Sequence, residues 1–223
     1  MKPDAILFDF DGVLLESESA GNRHIADYLT ARGNPTTPED SMANFMGLSG
    51  QAFLSAIEEW TGKPLPDDFH VERDAENRRV LESGLDAVTG ATAFVRSLPA
   101  TLPRAVVSSS SSYWISTHLD HLGLSDAFGN HIYSGHEHVE HGKPAPDLYL
   151  YAADKLHVPI ERCIILEDSP VGVTGAVASG ATVIGLCAGA HCAPDHADRL
   201  RALGVRLIAH DFDEVTRLIS GSV

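Results

Sequence analysis

Six short apolar runs punctuate the chain: AILFDF (5–10), RAVVS (104–108), HIYS (131–134), RCIILE (162–167), ATVIGL (181–186) and VRLI (205–208). Their length and their Val and Ile content fit strands buried on both faces. Segments of helical spacing alternate with them, at 91–98, 112–123, 146–157, 170–180 and 196–204. Gly123, Gly180 and Gly204 stand where helix C-caps are expected. Strand followed by helix, repeated, predicts an α/β fold built on a doubly wound parallel sheet.

Residues 16–88 break that rhythm. They hold no convincing strand and read as helices over 19–32, 37–46, 49–62 and 67–84. The second has Thr37 as N-cap, Pro38 at the first helical position and Asp40 at the third. The expected organisation is therefore a core of residues 1–15 and 89–223, interrupted by an all-helical cap over 16–88. Lys63, between Gly62 and Pro64, reads as part of a helix–helix turn. Trp60, Tyr113 and Trp114 fall on helical patterns and read as core.

Composition excludes some partners. Lys and Arg number 16 against 31 Asp and Glu, a formal charge of −15, which argues against nucleic acid or an anionic membrane surface. An anionic ligand would need cations gathered locally. Three cysteines in a chain of this length do not make a disulfide framework. The N-terminal stretch reaches acid before any long apolar run forms, unlike a signal peptide. No run approaches the roughly 18 apolar residues of a membrane span. A cytoplasmic monomer acting on a small molecule is expected.

In open α/β sheets, ligands bind at the carboxyl ends of the strands. Here the first strand ends in Asp9-Phe10-Asp11-Gly12, the second in Ser108-Ser109, and the fourth in Glu167-Asp168-Ser169. The third is followed by Gly142-Lys143-Pro144. Carboxylates, hydroxyls and one ammonium are the groups needed to hold Mg²⁺ beside a phosphate. A carboxylate can also attack phosphorus.

The stretches DFDGVL (9–14), Ser108 after AVV, GKPAPD (142–147) and LEDSPVGV (166–173) together resemble the haloacid-dehalogenase-like phosphohydrolases, in the branch with a helical cap after the first motif. The resemblance covers nearly the whole chain in order and spacing. It implies a Rossmann-like core and an Mg²⁺-dependent phosphatase. Asp9 would be nucleophile and metal ligand. Asp11 would be general acid and then base, with its carbonyl on the metal. Ser108 would bond the transferring phosphoryl group, with Ser109 beside it, and Lys143 would neutralise charge. Asp168 would be a metal ligand and Glu167 an outer-shell one. Asp11 favours ester hydrolysis over dehalogenation, because an alkoxide needs a proton to leave and a halide does not. Small sugar, polyol or sugar-acid phosphates are the implied substrates.

β-Phosphoglucomutase-like members share this cap type and are the alternative. They carry an arginine in a GxSR stretch and a histidine in the first cap helix. Here those places hold Gly50 and Gly21, which favours water as the final acceptor. A catalytically idle binding module is the reading outside enzymology, and the intact motif set speaks against it. Glu18, Asn22 and Arg23, with Ser49 and Gln51, are the cap positions expected to meet substrate. His136, His138 and His141 read as a polar loop delivering Lys143. Cys187, His191 and Cys192 read as a strand-to-helix loop with buried thiols. Neither cluster has the paired spacing of a structural zinc site.

Overall fold

The computed structural model describes residues 2–46, 48 and 50–221. The chain forms two compact units, Met1–Glu16 with Asp86–Val223 and Ser17–Leu85. In chain order, β1 (Ala5–Phe8) is followed by the helical unit: α1 (Ser17–Ala31), α2 (Pro38–Phe45), α3 (Gly50–Thr61) and α4 (Phe69–Ser83). The α/β unit resumes with α5 (Ala91–Ser97), β2 (Arg104–Ser108), α6 (Ser112–Leu122), α7 (Ser125–Phe128), β3 (Ile132–Ser134) and α8 (Asp147–Lys155). It closes with β4 (Cys163–Glu167), α9 (Pro170–Ser179), β5 (Thr182–Leu186), α10 (His196–Ala202), β6 (Leu207–Ala209) and α11 (Phe212–Ser220).

The strands pair in the order β3-β2-β1-β4-β5-β6, all parallel. The order runs away from β1 on both sides, so β1 lies at the point where the winding reverses. Side chains alternate between the faces. Ala5, Leu7, Ala105, Val107, Cys163 and Ile165 pack into one cluster with Leu148 and Tyr149 of α8 and with Val173 and Ala176 of α9. Phe8 points the other way, 6.1 Å from the Phe94 ring of α5 and 5.5 Å from the Phe128 ring of α7. Both faces are therefore covered by helices, which explains why these strands read as near-continuous apolar runs.

The structure shifts some sequence-based boundaries. β1 ends at Phe8 rather than residue 10, because the chain turns at Asp11–Leu15, where the Gly12 amide donates to the Leu15 carbonyl at 2.8 Å. The two units meet the chain at 16/17 and 85/86, not 15/16 and 88/89. The Glu16 amide donates to the Asp86 carbonyl (2.9 Å) and the Val88 amide to the Leu14 carbonyl (3.1 Å), tying both connecting segments into the α/β unit. α7 and α11 were not expected. α11 carries a clear signal all the same: Asp211 caps it by accepting from the Glu214 amide at 2.6 Å, and Phe212 and Val215 are buried.

The helical unit has its own core of Ile25, Tyr28, Leu29, Phe45, Ile57 and Phe69. Thr37 and Asp40 form the full capping box at the start of α2, accepting reciprocally from each other's amides. Trp60 is partly exposed and donates its indole N–H to Thr36 Oγ1 at 3.0 Å. Among the described residues, no helix is long and apolar enough to cross a membrane.

Candidate active site

β1, β2 and β4 present their polar ends side by side. The Asp9 amide continues the ladder by donating to the Leu166 carbonyl at 2.9 Å, which fixes its carboxylate next to that of β4. Lys143 Nζ donates to Asp9 Oδ1 at 2.6 Å and to Glu167 Oε2 at 2.7 Å. All three side chains are buried. Asp9, Glu167 and Asp168 bring carboxylate oxygens within 4.8 Å of one another. Two carboxylates thus hold one ammonium, with a third, Asp168, beside them.

Electrostatics follow from that imbalance. Burial, then the Glu167 charge, pushes Asp9 well above the usual carboxylate range despite Lys143. Burial opposes the Lys143 charge, but Asp9 and Glu167 outweigh it and hold the amine well above its ordinary value. Burial alone would raise Glu167, yet Lys143 and the surrounding donors hold it below. Its oxygens are richly bonded: Oε2 also accepts from the Tyr149 hydroxyl (2.7 Å), while Oε1 accepts from Ser169 Oγ (2.9 Å) and the Ser169 amide (3.0 Å). A carboxylate so occupied shapes the cluster from behind.

Asp11 is held by β2 and α6. Its Oδ2 accepts from Ser110 Oγ at 2.6 Å and from Ser108 Oγ at 3.3 Å, and its Oδ1 from Trp114 Nε1 at 3.2 Å. Ser108 Oγ in turn accepts from the Ser110 amide at 3.0 Å. Ser110 is not legible from sequence as a site residue, and Ser109, expected beside the phosphate, is exposed. Trp114 is not the core residue its helical position suggested, nor is Tyr113, which is 69% exposed. Gly12 is required twice over. Its φ is +83°, and a Cβ there would sit 2.1 Å from Asp168 Oδ2.

In the helical unit, Asn22 is buried and both ends of its amide are engaged locally: Nδ2 donates to the Glu18 carbonyl (2.8 Å) and Oδ1 accepts from Ser41 Oγ (2.9 Å). Arg23 and Gln51 are exposed, and Glu18 is partly so. Ser49 lies outside the described residues, as does Gly47. His138 braces its own loop, Nδ1 accepting from the Ser134 amide at 3.0 Å. His141 lies 3.8 Å from Asp147.

Residues 6–186 match the model of the haloacid dehalogenase-like hydrolase family. Over 193 residues the chain is 29% identical to the 6-phosphogluconate phosphatase of Escherichia coli, covering 86% of each. Over 218 residues it is 31% identical to hexitol phosphatase A of the same organism, covering 97% of this chain and 94% of that one. A HAD family hydrolase from Deinococcus radiodurans, crystallised with bound phosphate and sodium, superposes with a TM-score of 0.88 at 33% identity, over 98% of this chain and 95% of the other. The chain belongs to the haloacid dehalogenase-like hydrolases. Within that family it is a phosphoric monoester hydrolase.

Proposed function

We propose that the protein is an Mg²⁺-dependent phosphatase that hydrolyses a small sugar, polyol or sugar-acid phosphate through an aspartyl-phosphate on Asp9. The observation that carries this is the buried Asp9–Lys143–Glu167 bridge beside Asp168, with Asp11 held separately by Ser108, Ser110 and Trp114. The names of the two Escherichia coli relatives supply the substrate class, a sugar acid and a polyol.

The donor set fits a hard divalent cation. Its oxygens are carboxylate oxygens, and the cluster carries more negative charge than Lys143 offsets. Asp9, Asp168 and the Asp11 carbonyl would hold the ion, with Glu167 behind them. When bound, it supplies positive charge that lets an anionic phosphate approach these carboxylates and keeps Asp9 ionised.

The chain's own residues divide the chemistry. Asp9 attacks phosphorus while the bond to the ester oxygen breaks. Asp11 gives that oxygen its proton, so the alcohol leaves neutral. Asp11, now a carboxylate, takes a proton from water as the water attacks the phosphorus of the acyl phosphate. Phosphate departs and Asp9 is regenerated. Lys143 and Ser108 compensate charge on the transferring group, the main need of such transition states.

Three measurements test this. Phosphate release should be seen from at least one member of a panel of sugar, polyol and sugar-acid phosphates with Mg²⁺, and silence across the panel would sink the reading. Stripping with EDTA should abolish turnover and Mg²⁺ should restore it; full activity in EDTA would exclude a cation role. Trp114→Phe removes the N–H donor to Asp11 but keeps an aromatic ring. One hydrogen bond to a charged group is worth about 1.5 kcal/mol or more, so kcat/KM on alkyl phosphates should fall about tenfold. On p-nitrophenyl phosphate, whose leaving group needs no proton, it should change little. An equal loss on both would mean that Trp114 acts only through packing.

The mutase alternative has less support. A mutase must grip a second phosphate, and Gly21 and Gly50 offer no cation at the places where mutases have histidine and arginine. Nothing lies within 4 Å of where a Gly21 side chain would begin. With β-glucose 1-phosphate and a trace of the 1,6-bisphosphate, we expect no rapid glucose 6-phosphate. Its stoichiometric appearance without phosphate release would overturn hydrolysis.

A further inference from the structure

Asp168 is also met by residues that the chemistry above does not use. His191 Nε2 lies 2.8 Å from Asp168 Oδ2, and His196 Nε2 lies 2.6 Å from the Asp168 carbonyl. Cys192 Sγ is 3.6 Å from His191 Nε2. One donor atom from each of His191, Cys192 and His196 lies within 4.8 Å of the others. Both histidines are buried. The loop backbone closes on the His191 ring, since a Cβ at Gly189 would sit 2.5 Å from its Cε1.

The tautomer of His196 is fixed by its partner. A carbonyl only accepts, so Nε2 carries the hydrogen and Nδ1 the lone pair. That Nδ1 is buried and has no hydrogen-bond partner among the described residues. An unsatisfied buried acceptor is costly. A ring whose other N–H donates to a backbone carbonyl is also the usual setting of a metal-ligating histidine.

We propose that His191, Cys192 and His196, completed by the Asp168 carboxylate, form a site for a borderline-soft divalent ion of the Zn²⁺ type, and that filling it turns the phosphatase off by taking the Asp168 carboxylate as a ligand. Two imidazoles, a thiolate and a carboxylate are a four-coordinate zinc set. Mg²⁺ prefers oxygen and does not compete for sulfur. With Zn–N and Zn–S bonds of about 2.1 and 2.3 Å, the N–S edge of a tetrahedron is about 3.6 Å. The His191–Cys192 pair already stands at 3.6 Å. The N–O edge is about 3.4 Å, longer than the 2.8 Å between His191 Nε2 and Asp168 Oδ2, so that contact must open before both can ligate one ion. A cysteine thiol keeps its proton at neutral pH until a metal displaces it. Binding breaks the S–H bond, forms the S–metal bond and releases that proton to solvent, while the His191 hydrogen passes from Nε2, which faces Asp168, to Nδ1 so that the Nε2 lone pair can ligate, with no change of oxidation state.

The test uses the full chain. Co²⁺ added to the wild-type protein in excess Mg²⁺ should give a thiolate-to-cobalt charge-transfer band, which does not depend on any variant folding. Calorimetry should show one Zn²⁺ bound per chain, with a heat that varies with the buffer's protonation enthalpy. Cys192→Ala should lose the band and bind Zn²⁺ at least about 100-fold more weakly, the upper end of what losing even an outer-sphere partner costs. It should keep its Mg²⁺-dependent turnover and become resistant to Zn²⁺. Absence of the band, unchanged Zn²⁺ affinity in Cys192→Ala, or full displacement of Zn²⁺ by Mg²⁺ would each overturn the proposal and leave the histidines as supports for Asp168. Only the inhibition rests on the phosphatase reading. A cobalt band in a protein that hydrolyses no ester would keep the site and remove that reading.

Discussion

Asp9→Asn should eliminate turnover while leaving the fold at least as stable as before. The amide is nearly isosteric but is a poor nucleophile toward phosphorus. Loss of the attacking group in an enzyme that works through a covalent intermediate costs roughly 10⁶-fold in the best-measured case. Stability should move differently. The Asp9 carboxyl is buried and held well above its usual range by that burial and by Glu167, so its charge opposes the folded state more than a neutral group would. Lys143 keeps Glu167 as a partner in the variant, so no ammonium is stranded. The expected pair of results is no phosphate release from any substrate the wild type accepts and an unchanged or raised melting temperature. Wild-type turnover in Asp9→Asn would require another nucleophile. Lost turnover together with a collapsed fold would mean that Asp9 acts chiefly as a structural counter-ion.

The strands and their polar ends were legible because both signals are local. A strand buried on both faces must be apolar along its whole length, and its last residues must turn polar where the sheet opens to a ligand. Asp9, Asp11, Ser108, Glu167 and Asp168 stand at such ends; Lys143 bridges Asp9 and Glu167 beside Asp168, and Ser108 bonds Asp11. The partners of Asp11 were not legible. In SSSSS (108–112) one-residue register cannot be read from identical residues: the hydroxyls that meet Asp11 belong to Ser108 and Ser110, while Ser109, expected beside the phosphate, is exposed. Trp114 lies 103 positions from Asp11 in the chain, and a helical pattern says which face it is on but not that its N–H finds a carboxylate. His191 and His196 were obscured for the same reason: their meaning lies in Asp168, which enters the chain on a different strand. α11 is a different kind of miss, since its cap and its buried positions are local and readable.

Lys143→Met should cost both stability and catalysis, and the pH dependence of the first tells what the lysine contributes. Methionine roughly replaces the buried stem but removes the charge between Asp9 and Glu167, whose side chains are only 8% and 0% exposed. Removing one partner of a buried ion pair costs about 3–5 kcal/mol, because a desolvated charge is left uncompensated. For a chain of this size that is a drop in melting temperature on the order of 10 °C. In the wild type, Lys143 holds Glu167 low, so this carboxylate contributes stability above its unfolded value that is lost as pH falls through the folded one. Without the lysine, burial raises both carboxyls in the folded state. The folded protein then keeps protons that the unfolded chain releases, and the variant's penalty grows as pH rises above the ordinary carboxylate range of about 4. The gap between variant and wild type should therefore be wide at neutral pH and narrow on acidification. Mg²⁺ should recover part of it, since an ion that binds only the folded cluster stabilises it by mass action. Melting temperatures of both proteins from pH 4 to 8, with and without Mg²⁺, measure this directly. A gap that stayed constant with pH would show that Lys143 supports the site by packing and not by its charge.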